Sequence, residues 1–260
     1  MFDVRTTDLR RLNSITKYPS ILTYHGLGDR GRLTDEVLVP FTDSEIVSVT
    51  EKIDGTNARM IFLPDGTYIL GSREELLYAK GDLIGDQAQG IVEALKPIAE
   101  RLPSHLSGKN IRVYYGEVYG GKVSSNSKQY TTEGLVGFRL FDIGICGDFE
   151  EKLSWTPERI ASWREHGGQE WASETTIVDE AWSFGLKVTP RLVDGVLLGD
   201  SIPTSVGATY EWLKEHIHVS QARLDPAAPG RPEGVVVRSF DRTRIAKIRY
   251  EDYERTLRKK

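Results

Sequence analysis

Short alternating apolar runs follow one another along this chain, and most gaps between them are too brief for a crossover helix. Residues 45–53 read EIVSVTEKI, 58–64 ARMIFLP and 67–73 TYILGSR. Period-two alternation marks each as a strand. The PDG at 64–66 is a hairpin turn between the second and third, so these three are expected to form an antiparallel meander. NIRVYYGEVYG (110–120) and LVGFRLFDIGI (135–145) are two further strands, and PEGVVVRSF (232–240) with RIAKIRYED (244–252) is a closing pair. Between Asp82 and Leu102 the period changes. Ile84, Ala88, Ile91, Val92, Leu95, Ile98, Ala99 and Leu102 recur near one helical face, with Pro97 as an expected kink. SWTPERIASWREHGG (154–168) is a short helix with Thr156 as its cap and Pro157 at its first position, and TSVGATYEWLKEHI (204–217) is another. This order disfavours a regular doubly wound sheet and predicts an α+β fold. Residues 1–36 are polar and turn-rich, with glycines at 26, 28 and 31, and are expected to be an irregular lead-in. The whole of 1–260 reads as a single domain.

A formal net charge of −4 gives no global nucleic-acid signal, although a local basic patch is what binds phosphates. One cysteine, Cys146, excludes a disulfide framework or a four-cysteine zinc site within the chain. His216 and His218 would sit on different helix faces and read as structural. The N-terminal MFDVRTTDLRRLNS lacks the apolar segment of a signal peptide, and no stretch approaches the roughly 18 apolar residues of a membrane span. A cytoplasmic location without membrane association is the default expectation.

Charged residues stand in or beside the apolar strands: Lys52, Glu117, Asp142, Glu233 and Lys247. Each costs desolvation unless paired or used. Two readings stand. Alternation lets each point at solvent, or together they line one polar cleft. Lysines with carboxylates suit phosphate and divalent-metal chemistry. The GGK at 120–122 lacks a P-loop's context, so P-loop binding of a mononucleotide is not expected. A lysine can itself be a nucleophile when its surroundings lower its pKa. Lys247 and Arg249 share one strand face and could supply such a field, or hold a triphosphate. Arg59 and Arg238 read equally as solvated strand residues. Arg112, Lys122, Lys128 and Arg139 are candidates for a basic track along a nucleic-acid backbone.

KIDGTN (52–57) resembles motif I of the covalent nucleotidyltransferases, the polynucleotide ligases and mRNA capping enzymes. In the same order, GSREELL resembles the arginine-bearing motif that follows, YYGEVYGG motif III, FRLFDIG motif IIIa, PEGVVVR motif IV and AKIRY motif V. Asn57 and the Ser72–Arg73 pair are most similar to the RNA ligase 2 family. The resemblance implies an adenylyltransferase (ATP-grasp-like) nucleotidyltransferase domain with antiparallel sheets flanked by helices. It implies an ATP-dependent RNA ligase of RNA repair, joining 3'-hydroxyl and 5'-phosphate RNA ends. Lys52 would attack the α-phosphate of ATP, giving a lysyl-AMP intermediate within the motif that Asp54 and Gly55 complete. Glu51 would contact the adenine edge partly through its backbone. Asn57 and Arg73 would hold phosphate or ribose, and Glu117 the ribose hydroxyls or a hydrated Mg²⁺ or Mn²⁺. Phe141, with Phe138 as contender, would stack on the adenine, and Asp142 would orient neighbours. Glu233 would bind metal-bound water and orient the lysine, while Lys247 and Arg249 neutralise phosphate charge.

Two motif positions depart from the usual pattern: Arg249 replaces a second lysine in motif V, and Arg238 ends motif IV. No C-terminal OB-fold or helical domain is expected after motif V, because EDYERTLRKK closes the sequence. Substrate grip is then expected from loops, from a clamping or end-processing protein partner, or from a second subunit. The alternatives are a minimal ATP-dependent DNA ligase, a GTP-dependent mRNA capping guanylyltransferase, and a non-enzymatic nucleic-acid-binding protein.

Overall fold

The computed structural model describes residues 5–86, 90–103 and 106–258. The chain forms two compact units: Met1–Ser20, Gly55–Ser125 and Val136–Val188 make the first, and Ile21–Asp54, Asn126–Leu135 and Thr189–Lys260 the second. Both combine antiparallel sheet with helices, so the fold is α+β, as the short connections predict.

In the first unit the strands are β5 (Thr56–Phe62), β6 (Tyr68–Ser72), β7 (Leu76–Ala79), β8 (Asp82–Leu83), β9 (Ile111–Gly120), β10 (Val136–Cys146) and β11 (Glu170–Trp171). Among the described residues they make one antiparallel sheet in the order β11-β10-β9-β5-β6-β7-β8. Alternation sends Ala58, Met60 and Phe62 of β5, with Tyr114 and Val118 of β9, to one face. There they pack against Ile91, Val92, Leu95 and Ala99 of α2 (Ile91–Arg101) and Ile177 and Ala181 of α5 (Glu174–Ser183). Helix α2 begins later than the sequence period suggests, and Pro97 lies inside it. The expected position Ala88 lies outside the described residues.

The N-terminal segment is more ordered than its glycines suggest. Asp8 caps α1 (Leu9–Ile15) by accepting from the N–H groups of Arg10 and Arg11. Asn13 of this helix receives Arg59 of β5 through its carbonyl (3.2 Å) and its side chain. Arg59 is therefore no solvated strand residue: it is fully buried, and burial pushes its guanidinium down to about 10. Arg238 is buried as well. Helices α3 (Phe149–Ser154) and α4 (Pro157–Glu165) complete this unit, and Thr156 caps α4 with Pro157 at its start, as expected.

The second unit contains β1 (Leu22–Thr23), β2 (His25–Leu27), β3 (Leu33–Val37), β4 (Ile46–Lys52), β12 (Leu197–Leu198), β13 (Gly234–Ser239) and β14 (Ile245–Arg249). The main sheet runs β1-β14-β13-β4-β12, and β2 pairs with β3 separately. The β1–β14 pair is parallel, so the sheets are mixed rather than purely antiparallel. Strand β4 belongs to this sheet and β5 to the other, which corrects the expected three-strand meander: the meander that contains β5 and β6 continues into β7 and β8 instead. The link 53–55 carries the chain from one sheet into the next instead of turning a hairpin. Val47, Val49, Val235, Val237, Ala246 and Ile248 face a core closed by Trp212 and Leu213 of α6 (Val206–His216) and Tyr253 of α7 (Tyr250–Leu257).

Candidate active site

Because Val47 and Val49 face the core, Thr50 and Lys52 emerge on the opposite face of β4. The register places Lys52 opposite Gly234, and Gly234 opposite Arg249. One row further, Thr50, Val236 and Lys247 align in the same way. Lys52, Lys247 and Arg249 thus share one sheet face. Gly234 keeps the row tight, since a Cβ there would lie 2.1 Å from the Ile248 carbonyl oxygen.

The residue before this glycine supplies the partner. Glu233 Oε2 lies 2.6 Å from Lys52 Nζ, and both groups are largely shielded from water. Burial pushes the Glu233 carboxyl above the usual carboxylate range, and Asp54 adds to that shift, while Lys52 and Arg249 oppose it. Arg249 is itself gripped by Asp252, through Nε (2.8 Å) and one terminal nitrogen (3.0 Å). Its planar fork is therefore oriented by a buried carboxylate, a constraint that the departure from lysine in motif V makes possible. A cavity of about 220 Å³ opens beside the pair, with Asp54, Tyr130, Arg231, Glu233 and Tyr250 in its wall.

Glu51 lies on the other side of β4 from Lys52. Its carboxylate is buried and accepts from the Ser220 hydroxyl and the Gln221 N–H (2.8 Å), and its own N–H donates to the Pro190 carbonyl (2.9 Å). The side chain is thus a brace for the strand, which the sequence does not reveal. Asp54 is held by Asn126, which donates to its carboxylate, and by Tyr130, whose hydroxyl accepts the Asp54 N–H at 2.7 Å.

In the first unit, Asn57, Glu117 and Arg139 are register neighbours across β5, β9 and β10. Asn57 Oδ1 is buried and accepts no hydrogen bond among the described residues. Gly55 precedes this row, and a Cβ there would come 2.3 Å from the Val118 carbonyl oxygen. Phe138 packs against the hydrophobic core, whereas Phe141 lies edge-on to Tyr18, with ring centroids 5.1 Å apart. Asp142 is fully buried and accepts from the Tyr18 hydroxyl (2.9 Å) and the Ile143 N–H (3.2 Å). Arg73 stands apart at the β6–β7 turn, exposed, beside Ser20 and Glu74. The structure therefore brings together Lys52, Glu233 and Arg249 in one unit and Asn57 with Glu117 in the other. Tyr130, Asn126, Ser220 and Gln221 are the site residues that sequence reasoning missed.

Antiparallel sheets flanked by helices, with a lysine at the end of β4, agree with the nucleotidyltransferase domain that the motifs imply. A model of the RNA ligase family matches residues 45–249, so the chain belongs to the RNA ligase family. No curated protein matches it in sequence. Among solved structures it is similar to Naegleria gruberi RNA ligase with PPi, at TM-score 0.55 and 15% identity, over 83% of this chain and 52% of that one. A mutant of the same ligase with ATP and Mn gives TM-score 0.54 and 15% identity, over 82% and 52%. A mutant in apo form gives 0.54 and 15%, over 93% and 61%. This chain thus spans between about half and three fifths of those ligases.

Proposed function

We propose that the protein is an ATP-dependent RNA ligase that joins 3'-hydroxyl and 5'-phosphate ends through a lysyl-AMP on Lys52. The observation that carries this reading is the 2.6 Å contact between Lys52 Nζ and Glu233, inside the segment that matches the RNA ligase family. Neutral Lys52 nitrogen attacks the α-phosphorus of ATP, an N–P bond forms, and the P–O bond to the β-phosphate breaks, releasing pyrophosphate. Glu233, with its raised proton affinity, is placed to take the proton that the lysine must lose. Lys247 and Arg249, on the same sheet face, offset the charge that shifts to the departing oxygens. The adenylyl group then passes to the 5'-phosphate of a nucleic-acid strand. The acceptor's 3'-hydroxyl attacks that phosphate and AMP leaves.

Nucleotide binding in this reading uses Asn57, whose buried Oδ1 suits a hydroxyl donor brought by the sugar, with Glu117 beside it in register. Phe141 is assigned to the adenine face, Asp142 to fixing its strand, and Arg73 to phosphate contact. Among the described residues no cluster of three or more His, Cys, Asp or Glu side chains is arranged to hold a metal. Glu117 in the first unit and Glu233 in the second would instead each serve as a carboxylate for hydrated Mg²⁺ or Mn²⁺, and a bound ion would neutralise phosphate oxygens. Among the described residues no helix is long and apolar enough to cross a membrane, and the reading assigns the enzyme to the cytoplasm. A clamping or end-processing partner is its expected associate.

A panel of nicks tests the substrate class. Pre-adenylylated strands and 3'-hydroxyl acceptors are supplied with RNA or DNA on each side of the junction. Sealing that requires a ribonucleotide at the acceptor end is expected. Equal sealing of an all-DNA nick would replace this reading with a minimal DNA ligase. Grip should rest on phosphate contacts, so sealing should weaken as salt rises.

A further inference from the structure

Lys52 is the last residue of β4, and the backbone beyond it leaves the sheet ladder. A buried peptide N–H outside a ladder needs another acceptor. For Asp54 that acceptor is the hydroxyl of Tyr130, at 2.7 Å. Tyr130 is itself 1% exposed, and burial pushes its phenol well up, so the group stays a neutral hydroxyl. The Glu51, Asp54 and Glu233 carboxylates all act on it electrostatically.

The backbone that carries the ring is anchored independently of β4. Tyr130 N–H donates to the Ser127 carbonyl (3.0 Å), and its own carbonyl accepts from Leu224 N–H (2.7 Å). Neighbouring Thr132 donates its N–H (2.7 Å) and hydroxyl (3.0 Å) to Asp225. Two residues after the nucleophile, the backbone is therefore fastened to a fixed phenol, and one residue before it Glu51 is fastened to Ser220 and Gln221. Lys52 is bracketed by these two braces.

We infer that Tyr130 is a positioning residue for adenylate formation: its hydroxyl fixes the Lys52–Asp54 backbone and thereby aims Lys52 Nζ relative to Glu233. The inference rests on the ligase reading. A nucleophile's reactivity depends steeply on its placement, with an ångström of error costing about a hundredfold. Nucleotide affinity depends on other groups, so loss of the brace acts on rate rather than on ATP binding.

The test follows covalent labelling of the full chain by ATP carrying label on its α-phosphate, with Mn²⁺, over a range of ATP concentrations. Tyr130→Phe keeps the ring and the cavity wall and removes only the hydroxyl. The maximal rate of labelling is expected to fall about tenfold or more, while the ATP concentration for half-maximal rate stays within about twofold. An unchanged rate overturns the inference. So does an unchanged rate with weaker ATP binding, which would make Tyr130 a binding residue. If Tyr130→Phe does not fold, hydrogen exchange at the Asp54 amide of the wild-type chain carries the test, because that N–H is the group the Tyr130 hydroxyl accepts. Marked protection of this amide supports the inference, and exchange at the free-peptide rate overturns it. A wild-type chain that takes no label overturns the ligase reading together with the inference, whereas normal wild-type labelling with an equally fast variant overturns the positioning role alone.

Discussion

Lys52→Ala is expected to abolish ATP-dependent joining while leaving the sealing of a pre-adenylylated strand in place. The reason is that Lys52 is the protein group that carries AMP covalently in the proposed sequence before the adenylyl group passes to the strand. Its amine sits on the polar face of β4, 2.6 Å from Glu233 and in one register row with Arg249. Removing the nucleophile of a covalent mechanism costs at least about a thousandfold. The final step, attack of a 3'-hydroxyl on an already activated phosphate, needs the site's charge but not this amine. Gel analysis of the two substrates side by side checks the split. Loss of both activities would give Lys52 a role in the last step as well, and retention of both would remove it from the mechanism.

Glu233→Gln should slow adenylate formation about a hundredfold, the lower range for a lost general base. The amide keeps the shape and can accept a hydrogen bond from Lys52, yet it cannot take a proton. The pH dependence follows from burial, which raises the carboxyl's proton affinity in the folded chain. Wild-type labelling should therefore fall on acidification at a pH above the ordinary carboxylate range, and this limb should be missing from the variant. Stability carries the same signature with a definite sign. Between the ordinary carboxyl value and the raised one, the folded chain binds a proton that the unfolded chain releases. Glu233's contribution to stability thus declines as pH rises through that window. Glu233→Gln should flatten this part of a urea-denaturation series, and an unchanged slope would show that Glu233 does not titrate there.

Much of this architecture is legible in the sequence, because strand alternation separates a core face from a polar face. That logic predicts β5, β6, β9, β10, β13 and β14, and it places Lys247 and Arg249 on one side. It fails where local pattern does not set partners. Nothing in EIVSVTEKI says that β4 joins β13 at the far end of the chain instead of β5 three residues on. Helix α1 has one turn of real amphipathicity and depends on the Asp8 cap and on Arg59 reaching Asn13. Helix α5 buries only Ile177 and Ala181, too narrow a stripe to stand out.

The site divides in the same way. Lys52 and Glu233 are found through motifs, but their contact spans 181 residues and is visible only in the fold. The resemblance makes Glu51 a contact for the adenine edge, partly through its backbone; the part played by its carboxylate is visible only in the fold, where alternation turns it to the core side and Ser220 and Gln221 satisfy it. Alternation alone is expected to separate Phe138 from Phe141, but the fold adds a register shift between Leu140 and Asp142 that leaves Phe141 outside the β9–β10 pairing, beside Tyr18, while Phe138 packs against the core. Tyr130 carries no sequence signal at all, being one tyrosine in a polar segment whose partners lie at 54 and 224.

Mass spectrometry of the chain after incubation with ATP and Mn²⁺ tests the central claim most directly. The account predicts a single adenylyl group on the peptide that contains Lys52, labile to acid as a phosphoramidate is, and discharged by added pyrophosphate. An adenylyl group on another residue, or an unmodified chain that nevertheless joins RNA ends with ATP, would contradict it.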